Sequence, residues 1–130
     1  MIDKRKRAYQ KFGEFLADFV RDLNHMSEDG WLLLIEGPRD EKALRMLGYG
    51  VPMVSVSSLK RNSPEGLRGL KVVILTDLDR EGTSLAAKFV KRLNHEGVRT
   101  SMNERRRLKA ASRGVFLHIE NLSRFAKSAE

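Results

Sequence analysis

Along residues 4–25 the apolar positions Phe12, Phe15, Leu16, Phe19, Val20 and Leu23 recur at intervals of three and four. That spacing predicts one amphipathic helix, opened by the basic run Lys4-Arg5-Lys6-Arg7. Ser27, Asp29 and Gly30 end it, and the pattern changes. Trp31-Leu32-Leu33-Leu34-Ile35 is apolar at every position, as in a strand buried on both faces of a parallel sheet. Glu36-Gly37-Pro38 turns the chain, Asp40 is placed to cap a helix over 41–47, and Gly48 and Gly50 stop it. A second strand at 53–56 leads into a polar loop, 57–69, long enough to move. A third strand, 72–75, ends at Thr76-Asp77-Leu78-Asp79-Arg80-Glu81-Gly82 and feeds a helix over 83–95. Residues 98–102 predict a fourth strand, 104–112 a short basic helix, 115–119 a fifth strand and 122–126 a terminal helix. Strands and helices alternate, so the expected fold class is α/β. The sheet would have four to five mostly parallel strands with helices on both faces and an extra amphipathic helix in front. The division expected is 1–29 for that helix and 30–130 for the α/β domain.

Composition narrows the classes. The chain has 130 residues, 41% of them hydrophobic and 32% charged, with three Pro; this is the make-up of one folded domain rather than a disordered chain. No apolar run approaches the roughly 18 residues of a membrane span, and the basic start is not followed by the apolar core of a secretory signal. The cytoplasm is therefore the expected location. With no cysteine, disulfides, thiol nucleophiles, cysteine zinc sites and iron–sulfur clusters are excluded. The three histidines, His25, His95 and His118, form no ligand-spaced pair, so carboxylates are the expected metal ligands. His118, inside an apolar run, reads as a satisfied structural histidine.

Ligands of open α/β sheets bind beyond the carboxyl ends of the strands. Glu36 follows the first strand there; Asp77, Asp79 and Glu81 follow the third. Alternation along extended backbone puts Asp77 and Asp79, with Glu81, on one side. Carboxylates that close repel one another, and either a proton or a cation must relieve them. Oxygen ligands from a few carboxylates, completed by phosphate oxygens, suit Mg²⁺, with Mn²⁺ as a substitute. Gly37 and Gly82 would let backbone approach a phosphate, and the following helix N-terminus would supply N–H groups. The plainer reading of the same residues is a turn and a capping pattern.

The two segments together, LLIEGPRDEKAL and VVILTDLDREG, resemble the Toprim domain shared by topoisomerases, bacterial primases, recombination mediators and a ribosomal RNA maturase nuclease. The likeness covers residues 31 to about 120. It implies a Toprim, Rossmann-like fold for 30–130, with Glu36 as general acid/base and Asp77 and Asp79 as Mg²⁺ ligands. The acid at the Glu81 position also serves the metal in the type IA topoisomerases, whose DREG string this chain resembles. Asp40 matches a further family position that helps start the first helix. The topoisomerase tyrosine and accessory domains are absent, as are the cysteine zinc modules of primases and recombination mediators. The chain is thus most similar to the small stand-alone prokaryotic Toprim proteins of archaeal type, with the maturase nuclease as functional analogue.

The charge balance, 25 Lys+Arg against 17 Asp+Glu or +8, favours a polyanionic partner. Arg99, Arg105, Arg106, Arg107, Lys109 and Arg113 stand against the single acid Glu104. On a helix Arg105, Arg106 and Lys109 would project outward as phosphate contacts, while Leu108 and Ala111 face the sheet; the alternative is an ordinary solvated face. Arg80 either touches the scissile phosphate or balances the acids, and Lys60 and Arg61 mark the 57–69 loop as a closing element or a plain surface loop. The expected activity is Mg²⁺-dependent phosphodiester hydrolysis of RNA or DNA. The alternatives are a non-catalytic nucleic-acid-binding or adaptor module working with a protein partner, and, more remotely, a small-nucleotide phosphohydrolase.

Overall fold

The computed structural model describes residues 3–50, 52–61 and 64–126. The elements are α1 (Lys4–Glu28), β1 (Trp31–Ile35), α2 (Pro38–Met46), β2 (Met53–Ser55), α3 (Val56–Arg61) and a 3-10 turn (Pro64–Leu67). They continue with β3 (Lys71–Ile74), α4 (Arg80–His95), β4 (Arg99–Ser101), α5 (Asn103–Ser112) and a second 3-10 stretch (Ile119–Phe125). The strands form one all-parallel sheet in the order β2-β1-β3-β4. The fold is α/β and Rossmann-like, a parallel sheet flanked by helices and preceded by a long one.

Central β1 explains its own sequence. Leu33 and Ile35 join Val73 and Leu75 in one core cluster, whereas Leu34 joins Val72 and Ile74 in the other. Both faces are covered, so no position of the strand is left for a polar residue. On the first face lie Phe12, Leu16, Phe19, Val20 and Leu23 of α1, Leu44 of α2, Leu108 of α5 and Ile119 and Leu122 of the final stretch. Each such side chain withdrawn from water contributes roughly 1.5–3 kcal/mol. Helix α1 is therefore a cover of the sheet. Phe12 stacks on Phe116 at 5.2 Å and meets Phe125 edge-on at 5.1 Å, and this tethers the end of the chain to α1. On the second face Ala86, Phe89 and Leu93 of α4 pack with Val56 and Leu59 of α3.

Four sequence expectations are corrected. Helix α2 begins at Pro38 with Gly37 as its N-cap, so Asp40 sits inside the first turn rather than at the cap; proline at the first helical position is preorganised for that start. The segment read as a loop from 57 carries α3, whose start is held by Ser58 N donating to Ser55 Oγ at 3.1 Å. Asn62 and Ser63 lie outside the described residues. Residues 115–119 are not a strand: Gly114 has a positive φ of 78°, Val115 is 72% exposed and Leu117 37% exposed. Leu117 offers its carbonyl to Leu78 N instead of to a sheet neighbour. The terminal element is 3-10 rather than α-helical. No helix among the described residues is long and apolar enough to cross a membrane.

Candidate metal centre

In the order β2-β1-β3-β4 the parallel strands are added first to one side of β1 and then to the other, and such a switch point leaves a crevice at the carboxyl ends of β1 and β3. Glu36 stands one residue past the end of β1, and Asp77 three past the end of β3. They meet there: Asp77 N donates to Glu36 Oε2 at 2.7 Å. Asp77 Oδ1 accepts from Ile119 N at 2.8 Å, and Asp79 Oδ1 accepts from Gly82 N at 2.7 Å as the N-cap of α4. Both second oxygens turn to His118, whose Nδ1 lies 3.4 Å from Asp77 Oδ2 and 3.7 Å from Asp79 Oδ2. One ligand atom from each of Asp77, Asp79 and His118 falls within 4.8 Å of the other two.

His118 is the residue that sequence reasoning missed. By its pattern it falls in a fifth strand, which does not form. The only signal for it was Gly114 four residues earlier, a breaker that could have cast doubt on a strand over 115–119.

The remaining site residues divide. Asp40 is buried at 6% exposure and shares an open cleft of about 470 Å³ with Glu36, Gly37, Arg39, Asp77 and Glu120. Glu81 is exposed on the first turn of α4 and lies outside the three-residue cluster. Arg80 is exposed beside it. Gly37 has an extended φ of −166° and open space where a Cβ would stand. Gly82 is different: a Cβ there would lie 1.9 Å from the carbonyl oxygen of Asp77. The absence of a side chain there is required by the protein's own backbone.

Arg105 overturns an expectation. It does not project outward with Lys109 but is 3% exposed, its Nε donating to Thr76 O at 3.2 Å and its Nη2 to Thr83 Oγ1 at 3.0 Å and to the carbonyl of Asp77. The guanidinium's fan of donors suits three acceptors at once, and it anchors α5 beneath the end of β3. Arg106 and Lys109 are exposed, while Arg107 lies over Phe15 and Phe19 and pairs with Asp22 at 3.3 Å. The side chains of Lys60 and Arg61 lie outside the described residues.

Burial pushes the Glu36 carboxyl up; the Asp77 N–H opposes the shift, and the charges of Asp77 and Asp79 add to it. Asp40 is driven further, to about 6, by burial and then by Asp77 and Glu36. His118 is pushed up, chiefly by its hydrogen bond with Asp77. Burial draws Arg105 down while Asp79, Glu36 and Asp77 hold it up. The folded chain thus binds the Asp40 proton more tightly than the unfolded chain does. The corresponding stability is complete below the ordinary carboxyl value and is lost as pH rises through about 6. Asp40→Asn is expected to stabilise the protein at pH 8 by on the order of 2 kcal/mol and to change it little at pH 4. Urea unfolding at the two pH values checks this, and an equal effect at both would refute it.

No model of a known protein family matches the chain. Curated relatives do. The UPF0292 protein of Pyrococcus abyssi is 33% identical over 113 residues, spanning 85% of this chain and 86% of its own. That of Pyrococcus horikoshii is 35% identical over 116 residues, 88% of this chain and 83% of its own. The chain belongs to the UPF0292 family. A third member, from Methanosarcina barkeri, is 31% identical over 117 residues, 88% of this chain and 82% of its own. A solved protein from Aquifex aeolicus superposes with a TM-score of 0.67 at 26% identity, over 80% of this chain and 94% of that one. In this UPF0292 chain the donor set is one that a divalent cation could use: Asp77 and Asp79 each present, beside His118, one oxygen that accepts no backbone N–H.

Proposed function

We propose that this protein is a Toprim-type, metal-dependent phosphodiesterase acting on RNA or DNA in the cytoplasm. The observation that carries the reading is the hydrogen bond that joins Asp77 to Glu36 at the switch point, past the ends of two neighbouring strands, with the Asp79 charge close by. A divalent ion held by Asp77 and Asp79, Mg²⁺ or Mn²⁺, would neutralise charge on the phosphoryl oxygens and favour attack by water. Glu36 accepts the Asp77 N–H on Oε2, and its raised affinity for protons suits a group that protonates a leaving oxygen or deprotonates water. Arg105 fixes the carbonyls of Thr76 and Asp77, so that the aspartates do not drift as charge changes. The crevice continues over Arg39 into a second cleft lined by Lys42, the two sharing Arg39 and Glu120 in their walls. Arg39 and Lys42 are exposed there, and Arg80, Arg106 and Lys109 are exposed elsewhere on the surface, as a phosphate chain requires.

A second reading, a nucleic-acid-binding module completed by a protein partner, is favoured by Val115 and Leu117, which stand exposed on the segment leading to His118. Cleavage of structured RNA, single-stranded DNA and duplex DNA with Mg²⁺ or Mn²⁺ separates the two. Metal-dependent cleavage reduced at least about 100-fold in Glu36→Gln and in Asp77→Asn is expected. Absence of cleavage with salt-sensitive binding kept by both variants would replace the phosphodiesterase by the module. Turnover confined to free nucleotides would replace it by a nucleotide phosphohydrolase.

A further inference from the structure

We propose that His118 is the third ligand of this centre, making it a two-carboxylate, one-imidazole site that selects Zn²⁺- or Co²⁺-type ions over Mg²⁺. The inference rests on the reading of Asp77 and Asp79 as metal ligands and adds to it a residue from a different element.

The geometry is that of ligands already in place. Atoms bound at about 2.1 Å to one ion stand about 3.0 Å apart at right angles and about 3.4 Å apart at tetrahedral angles. Nδ1 of His118 is 3.4 Å from Asp77 Oδ2 and 3.7 Å from Asp79 Oδ2, both near the tetrahedral separation, and the three ligand atoms all lie within 4.8 Å of one another. Each carboxylate is anchored through its other oxygen, Asp77 Oδ1 by Ile119 N and Asp79 Oδ1 by Gly82 N. Backbone donors behind a ligand fix its orientation in this way. The same Ile119 N–H that orients Asp77 also fixes the backbone next to His118, and Leu78 N bonded to Leu117 O holds the other side of that segment. The imidazole is thus delivered by the contacts that orient the first aspartate. With its side chain 47% exposed, an ion can reach it from solvent.

Selectivity follows from donor type. Mg²⁺ prefers oxygen ligands and keeps much of its water, so an imidazole adds little to its binding. Later first-row ions take imidazole readily and bind nitrogen-containing sites more tightly along the series to Cu²⁺.

The test is titration of the full chain with CoCl₂, ZnCl₂ and MgCl₂ by calorimetry, with the visible absorption of Co²⁺ as a direct report of its ligands. Wild type is expected to bind Co²⁺ at least about 100-fold more tightly than Mg²⁺. His118→Ala should lose at least about tenfold in Co²⁺ affinity, shift the Co²⁺ bands and leave Mg²⁺ affinity within about threefold. Because His118 is exposed, the variant should melt with wild type, and circular dichroism confirms that it is folded. Equal affinity for the two ions, or a Co²⁺ titration unchanged in folded His118→Ala, overturns the inference. Nucleic-acid cleavage supported by Mg²⁺ and untouched by His118→Ala, without selective Co²⁺ binding, would sink this proposal while sparing the phosphodiesterase. Selective Co²⁺ binding that depends on His118, with no cleavage under any ion, would do the reverse.

Discussion

Gly82→Ala is expected to destabilise the protein by at least about 3 kcal/mol and to abolish the divalent-ion binding proposed for Asp77 and Asp79. The added Cβ would lie 1.9 Å from Asp77 O, 2.5 Å from its carbonyl carbon and 2.9 Å from its Cα. All three are backbone atoms, which do not swing aside as the end of a long side chain does. Either the first turn of α4 or the Asp77 peptide has to move, and both are committed elsewhere. Gly82 N caps onto Asp79, and Gly82 O accepts from Thr76 Oγ1 at 2.7 Å. The Asp77 carbonyl is held by Arg105. The clash therefore spreads into both aspartates. Gly37→Ala is the control, since its backbone is extended and nothing lies within 4 Å of the new carbon; as a change at the N-cap of α2 it should cost no more than about 1 kcal/mol. Urea midpoints of the two variants decide the matter, and a Gly82→Ala protein as stable as Gly37→Ala would refute the account.

Arg105→Met should cost about 3–5 kcal/mol at neutral pH. The thioether fills part of the space but donates nothing. Thr76 O and Asp77 O lose their donor, and Glu36, Asp77 and Asp79 lose the buried cation among them. A carboxylate without its cation binds protons more tightly, so the penalty should shrink as pH falls below about 5 and the acids neutralise. Arg105→Lys should recover only part of the loss, because one ammonium does not span three acceptors set by a planar fork. Arg106→Ala, one residue along and exposed, with a single contact to Asn103 at 3.2 Å, should change stability by no more than about 0.5 kcal/mol. Thermal unfolding across pH 4–8 measures all three, and similar losses in Arg105→Met and Arg106→Ala would show that Arg105 is a surface residue after all.

Sequence periodicity alone determined the parallel α/β sheet, the amphipathic helix ahead of it, and the placement of Glu36, Asp77 and Asp79 after two apolar strands; that α1 covers one face of the sheet was decided by the tertiary packing. Hydrophobic spacing and strand-end position are local properties, and Phe12 to Leu23 or Trp31 to Ile35 carry them whatever surrounds them. The tertiary structure alone decided the parts of the site whose partners lie far along the chain. Arg105 belongs to a basic run that reads as solvated, yet it is buried because Thr76 and Asp77, 29 and 28 residues away, present carbonyls to its guanidinium. Asp40 reads as a helix cap, yet it is enclosed with Glu36 and Asp77 and shifted to about 6. His118 reads as an interior strand position, yet it turns to Asp77 and Asp79 because the Ile119 N–H is captured by Asp77 Oδ1, 42 residues back, instead of by a neighbouring strand. Each outcome depends on contacts and burial among residues far apart in the chain, and these exist only once the sheet has brought distant segments together.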